Sequence, residues 1–276
     1  MLVSERHGEV LQLRMSRVIG GEPVYWVAAY LVDGLLVDTG CAHTAAELLA
    51  ALEREGAAVR VVVNTHHHED HIGANRLVRE RFGADLLAHP EAVPLIAAPP
   101  RLPFYRETVW GQPEPSVASP VHLQSADILT SRHRFLAVDT PGHSRGHLAL
   151  LEPEAGWCFA GDLFIGERPR VVWKETDVGA WLRSLDLLLA LAPPGGLTLF
   201  TGPGPVVADG RRALEDCAAY LRDLAAEARR LAAAGLGPEA VRDALFGRES
   251  SFAVLTEGEF SSLNLARSLL EAGGET

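Results

Sequence analysis

Lysine is nearly missing from this chain: Lys174 is the only one among 25 basic residues, set against 36 acidic ones. The formal net charge of -11 argues against nucleic acid as substrate, because binding its backbone depends on clustered cationic side chains. The arginines do not compensate, because they are interspersed with acids, as in Arg76, Arg79, Glu80 and Arg81, the pattern of a mixed solvated face. Long apolar runs are missing too. No stretch reaches the roughly 18 uninterrupted apolar residues of a membrane span, and Glu5, Arg6, His7 and Glu9 leave no room for the apolar core of a signal peptide. Three cysteines, Cys41, Cys158 and Cys217, are too few and too dispersed for a disulfide framework and suit a reducing cytoplasm. These absences point to a cytoplasmic protein acting on a small molecule, with neither nucleic acid nor membrane as partner.

Histidine, by contrast, is concentrated in one place. Thr65-His66-His67-His68-Glu69-Asp70-His71 follows the apolar run at Val59 to Val63, which reads as a buried strand. Three imidazoles and a carboxylate at His66, His68, Asp70 and His71 are costly in a core and have no use on a surface, so metal ligation is their natural role. Imidazole nitrogen and carboxylate oxygen suit zinc, iron or manganese. His66 and His68 lie two apart and in extended chain point the same way, so they can share one ion. Asp70 and His71 are adjacent and diverge, which suits a second ion beside the first.

Along the chain, strands are expected at Val10-Val18, Val24-Val32, Leu35-Asp38, Val59-Asn64 and Asp85-Ala88, with a hairpin turn at Gly20-Gly21. A second group is expected at Val121-Leu123, Phe135-Asp139, Leu148-Glu152, Trp157-Gly161 and Leu197-Thr201. Helices are expected at Thr44-Glu55, with apolar spacing at Ala45, Leu48, Leu49 and Leu52, and at Ala74-Phe82 and Val178-Leu191. Strands in two halves with helices between them fit an α/β four-layer αββα sandwich, helices outside two packed sheets. This catalytic domain would span residues 1-232, ending in a long helix at 209-232. Residues 233-276 would form a helical appendage, with helices at Pro238-Phe246 and Glu259-Glu271, packed on the body or on a second subunit, which leaves a homo-oligomer open.

The proline-rich stretch from Pro94 to Pro120 reads as a long irregular loop, and such loops in compact domains are commonly functional. Its Arg101, Tyr105, Arg106 and Trp110 suggest a lid over a pocket, with Arg101 or Arg106 meeting a substrate carboxylate.

Three further pieces fall in order around the histidine cluster. Leu36-Val37-Asp38 ends an apolar run in an acid, Asp139 to His147 sets His143 in a Pro-Gly turn, and Phe159-Ala160-Gly161-Asp162 ends another run in an acid. From about Val10 to Val207 this combination resembles the metallo-β-lactamase-fold hydrolases, which include glyoxalase II, lactonases and tRNA-processing RNases. The resemblance implies one metal on His66, His68 and His143, a second on Asp70 and His71, Asp162 bridging them, and Asp38 orienting a ligand histidine. His147 reads either as support for the site or as a histidine satisfied by backbone. One departure stands out: where the family has a glycine-flanked histidine completing the second site, this chain has Gly202-Pro203-Gly204, and Pro203 cannot ligate.

The resemblance thus implies one or two metal ions, zinc first and iron or manganese as alternatives. A metal lowers the pKa of bound water from about 16 toward 7, and hydroxide so formed would cleave a small ester, thioester or lactone, with Asp70 orienting it and taking its proton. Two rivals are a mononuclear iron thiol or persulfide dioxygenase of the same fold and a catalytically silent binding protein.

Overall fold

The computed structural model describes residues 1–272. Seven strands form the first sheet in chain order: Leu2–His7, Val10–Met15, Val27–Val32, Leu35–Val37, Val61–Asn64, Asp85–Ala88 and Ser119–Pro120. The first four pair antiparallel and the last three join in parallel. Parallel neighbours need a crossover, and helices Ala45–Arg54 and Asn75–Phe82 supply two of them. The second sheet contains Ser125–Leu129, Arg134–Asp139, Leu148–Glu152, Trp157–Gly161, Thr198–Thr201 and Val206–Val207. Its single parallel pair is bridged by helix Val178–Leu191, whose first turn is capped by the Asp177 carboxylate accepting from the Ala180 N–H at 2.9 Å.

The two-residue period of the strands sorts their side chains into three separate cores. Leu35, Val37 and Val63 meet Phe135, Leu148, Leu150 and Phe159 between the sheets. Their neighbours Leu36 and Val62 turn outward to Leu48, Leu52 and Val78 on the first helical layer. Ala149, Leu151 and Cys158 turn the other way, to Trp181, Leu185 and Leu188. Three cores stacked in series make four layers, helix, sheet, sheet, helix. This is the sandwich expected from the sequence.

Some expectations fail for identifiable reasons. Strand Leu2–His7 went unrecognised because its side chains are mostly exposed and polar, and a sheet-edge strand is held by its ladder rather than by apolar alternation. Residues 121–123 form no strand; the strand lies at Ser125–Leu129 instead. The supposed irregular stretch carries two short helices, Val93–Ala97 and Phe104–Val109. Pro94 sits in the first turn of the former, where a missing N–H costs nothing.

The C-terminal helices Gly210–Ala233, Pro238–Phe246 and Ser262–Glu271 lie over the second sheet, and Val241, Leu265, Ala266 and Leu269 share one continuous core with Trp181 and Leu185. A further short helix, Ser251–Leu255, was not anticipated. Phe260–Ser261 pairs antiparallel with Val172–Trp173, stitching the tail to the body beside the strand ends. Among the described residues no helix is long and apolar enough to cross a membrane.

Candidate metal centre and the chamber beside it

Loops from both sheets meet at one edge of the sandwich. The Thr65 carbonyl accepts the Leu148 N–H at 2.8 Å and the Gly202 carbonyl accepts the Ala28 N–H at 2.9 Å, so the motif loops are tied across the sheets. His66 Nε2 lies 3.0 Å from His68 Nδ1, and His143 Nε2 lies 2.9 Å from that same nitrogen. Nitrogens bound tetrahedrally to one ion at about 2.0–2.1 Å sit roughly 3.3 Å apart, so these three rings already point at a common centre. All three are buried. Burial, reinforced by the neighbouring rings, holds His66 and His68 well below the usual histidine range, which leaves them neutral and able to donate lone pairs. Burial lowers His143 as well, although Asp162 opposes the shift.

The second cluster has a different character. His71 Nε2 lies 3.3 Å from Asp162 Oδ1 and 3.8 Å from Asp70 Oδ2. Both His71 Nε2 and Asp162 Oδ1 are buried without a hydrogen-bond partner, a costly arrangement unless a cation joins them. The other Asp162 oxygen is 3.6 Å from His143 Nε2, so this carboxylate spans the two clusters. Burial opposes charge on His71, yet Asp38, Asp162 and Asp70 raise it well above the ordinary value. Burial pushes the Asp70 carboxyl up to about 7 against the pull of His71, with Glu69 and Asp162 adding to the rise. Such crowding of acids in a dry pocket calls for positive charge. The residues present therefore fit a metal ion, on His66, His68 and His143 and on His66, His71 and Asp162, whereas Asp70, expected as a ligand, falls in neither group.

Several neighbours position these groups. Asp38 Oδ2 lies 2.7 Å from His71 Nδ1, which turns Nε2 toward the cluster. Asp38 is itself held by the Thr65 N–H and hydroxyl, each at 2.8 Å, and adopts a left-handed φ of 59°. The His147 ring is 2.9 Å from the Thr140 hydroxyl and accepts the Asp162 N–H at 3.2 Å, so it fixes the backbone that carries the bridging carboxylate. Gly202 is required by space: a Cβ there would come within 2.0 Å of Asp162 Oδ1. Pro203, next along, lines the cavity beside His143 and Asp162, so the position expected to lack a ligand does face the site.

The lid residues divide. Trp110 is buried, packs edge-on against Tyr25 at 5.4 Å and lines a cavity of about 330 Å³ that also touches His143 and Asp162. Arg106 gives two nitrogens to Glu69, at 2.7 and 2.5 Å, and lies over the Trp173 ring at 4.5 Å, so its guanidinium is already engaged rather than free for a substrate carboxylate. Tyr105 donates to Glu259. Arg101 is exposed on the rim of a neighbouring cavity. Tyr25, Trp173, Phe252 and Phe260 complete the chamber wall and were not anticipated. Glu69, inside the histidine motif itself, was the one missed residue with a sequence signal.

Comparison with known proteins agrees with this geometry. Residues 27–202, more than half of the chain, match the family model of the metallo-beta-lactamase superfamily. A hydroxyacylglutathione hydrolase of Thermosynechococcus vestitus is 35% identical over 123 residues, 43% of this chain and 40% of that protein. One from Brucella ovis is 27% identical over 191 residues, 69% of this chain and 66% of that protein. The chain thus spans less than two thirds of these relatives. A beta-lactamase domain protein from Burkholderia ambifaria superposes with a TM-score of 0.73 at 20% identity, covering 99% of this chain and 90% of that one. With its family model, its sandwich and its histidine cluster in agreement, the chain belongs to the metallo-β-lactamase superfamily.

Proposed function

We propose that the chain is a metal-dependent hydrolase, with zinc as the ion, that cleaves the acyl bond of a small ester, thioester or lactone. One observation carries the reading: buried nitrogens of His66, His68 and His143 converge, beside an unpaired His71 Nε2 and Asp162 Oδ1. The relatives named as hydroxyacylglutathione hydrolases support acyl-thioester chemistry. When bound, a metal supplies a lowered water pKa and polarises a carbonyl oxygen. The protein supplies the rest. Asp38 holds the Nδ1 side of His71, leaving Nε2 to face the centre. Asp70, buried beside His71, receives the proton that the attacking water gives up. Trp110 and Trp173 keep bulk water from the reacting carbonyl. The three cysteines, buried and unpaired, support a cytoplasmic setting.

The test is metal analysis of protein purified without added metal, followed by turnover on thioesters, esters and lactones. One or two zinc ions per chain with hydrolysis that stops on chelation and returns on zinc addition is the expected result. Iron content with oxygen consumption on a thiol substrate would replace this reading with an oxygenase. Metal-loaded protein inert toward the whole panel would remove it.

A further inference from the structure

The chamber beside the metal centre has a chemistry of its own. Its walls are Tyr25, Trp110, Ile165, Trp173, Phe252 and Phe260, and neither lysine nor arginine occurs among its lining residues. The nearby cations are engaged elsewhere: Arg106 by Glu69, and Lys174 by Glu259 at 2.7 Å. An anionic group would find no partner there. Tyr25, Trp110 and Phe252 are shared with a second cavity of about 520 Å³, walled by Ile19, Val24, Phe104 and Leu255. That outer cavity opens at a mouth where Phe104 is 82% and Leu255 67% exposed. Apolar side chains therefore line both cavities, from the exposed mouth to the chamber at His143 and Asp162.

That lining is not featureless. The indole N–H groups of Trp110 and Trp173 and the Thr176 hydroxyl are buried without a hydrogen-bond partner, and all three residues line the chamber. Buried donors left unpaired are costly, so an acceptor reaching them from the chamber would relieve that cost. A purely hydrocarbon occupant would leave them unsatisfied. A charged one would meet aromatic walls.

We propose that this chamber and its outer extension receive the acyl part of the substrate, and that this acyl group is a medium-length apolar chain bearing an oxygen substituent. The proposal rests on the hydrolase reading for its chemistry and on the cavity for its specificity. Attack at the carbonyl breaks the acyl–oxygen or acyl–sulfur bond, water supplies the new acyl oxygen, and the leaving alkoxide or thiolate departs with a proton. The apolar chain stays in the chamber while the leaving group faces solvent.

Two measurements on the metal-loaded full chain separate the parts. The first compares kcat/KM for N-acetylcysteamine thioesters of butanoic, octanoic and β-hydroxyoctanoic acids. Burial of each methylene is worth roughly fourfold, so octanoyl should exceed butanoyl by on the order of a hundredfold, with a further gain for the hydroxylated chain. The second is quenching of tryptophan fluorescence by octyl methyl ketone, which cannot be hydrolysed. Phe252→Ala trims a wall side chain that is itself 41% exposed and should lower the octanoyl-to-butanoyl ratio about tenfold, the effect of one or two methylenes losing contact. Equal kcat/KM for butanoyl and octanoyl thioesters, with no ketone binding, overturns the chamber while leaving hydrolysis standing. Ketone binding without turnover of any thioester, ester or lactone supports the chamber and overturns the hydrolase reading. Absence of both overturns both.

Discussion

The two sides of the site are built on opposite principles. The ligand side is compact in sequence: His66, His68, Asp70 and His71 run from the loop after strand Val61–Asn64 into the short helix Glu69–Ile72, Asp38 and Asp162 directly follow strands, and His143 sits in the turn between Arg134–Asp139 and Leu148–Glu152. The chamber side gathers Tyr25, Trp110, Trp173, Phe252 and Phe260 from four distant segments, the last two from the C-terminal tail. Ligation demands particular atoms at fixed distances. A wall demands apolar area and shape, which many residues can provide. The first side is therefore fixed by chemistry, and the second is free to set which substrate enters.

Breaking the ligand side should have the largest effect. Asp70→Asn keeps the volume of a buried side chain but removes its charge and its capacity to take a proton. Turnover on the best thioester should fall by about 10²–10⁴, as for a lost acid–base group, with circular dichroism and melting temperature close to wild type. Activity within about threefold would take Asp70 out of the chemistry. Asp38→Asn, one bond removed from the centre, should act more gently. It weakens the 2.7 Å contact that orients His71, and losses at such supporting positions run to about 10–100-fold in metal affinity or activity. Competition with a chromogenic chelator measures the affinity directly. An unchanged affinity would mean that Thr65 and the fold hold His71 without its carboxylate.

Pro203 lies where the two sides meet. It faces His143 and Asp162 yet offers no donor, so the three-imidazole cluster should hold its ion more tightly than the acid-rich cluster at His71 and Asp162. Stepwise dialysis against chelator should release the ions in two phases if both are present. Pro203→His should raise metal content by up to one ion per chain and slow the first phase. Simultaneous loss in the wild type, with no gain in the variant, would show that the second cluster is complete without position 203.

What could be read from the sequence follows the same division. The histidine cluster, Asp38, His143 and Asp162 were legible because ligand chemistry restricts residue type and spacing, and the structure gathers them at one edge of the sheets. The four layers were legible because alternation along Leu35–Val37 and Leu148–Glu152 sends neighbours into different cores. Tyr25 and Phe260 were not legible, since an aromatic beside a short strand reads as core wherever it occurs. Arg106 misled for a related reason: its charge was visible, but its partner Glu69, 37 residues away in sequence, was not. The Gly-Leu-Gly-Pro break at 235–238 marks the start of the helical appendage in sequence, but the choice between packing on the body and packing on a second subunit depends on long-range contacts that periodicity does not encode.

The smallest expected effect lies in that tail and tests how firmly it holds its part of the wall. Glu249 accepts the Ser262 hydroxyl at 2.7 Å and the N–H groups of Ser262, Ser250 and Leu263 at 3.0 Å, at the start of helix Ser262–Glu271. Burial pushes its carboxyl up, but these four bonds outweigh burial and bring it down from 4.5 to about 2. A carboxylate whose pKa is lower in the folded chain stabilises fully above the unfolded value and progressively less as acid is added. The contribution of Glu249 should thus be complete above about pH 4.5 and fade toward pH 2. Glu249→Gln keeps the shape and removes the charge, so it should cost about 1 kcal/mol near neutrality, the scale of a lost helix cap, or about 2–4 °C in Tm for a chain of this size. Thermal melts at neutral pH and near pH 3 check both the size and its dependence: the gap between variant and wild type should shrink in acid. A gap that is absent at neutral pH, or that widens as the pH falls, would mean that the helix is held by its apolar face and its Ser261 cap and that the four bonds to Glu249 add nothing to the fold.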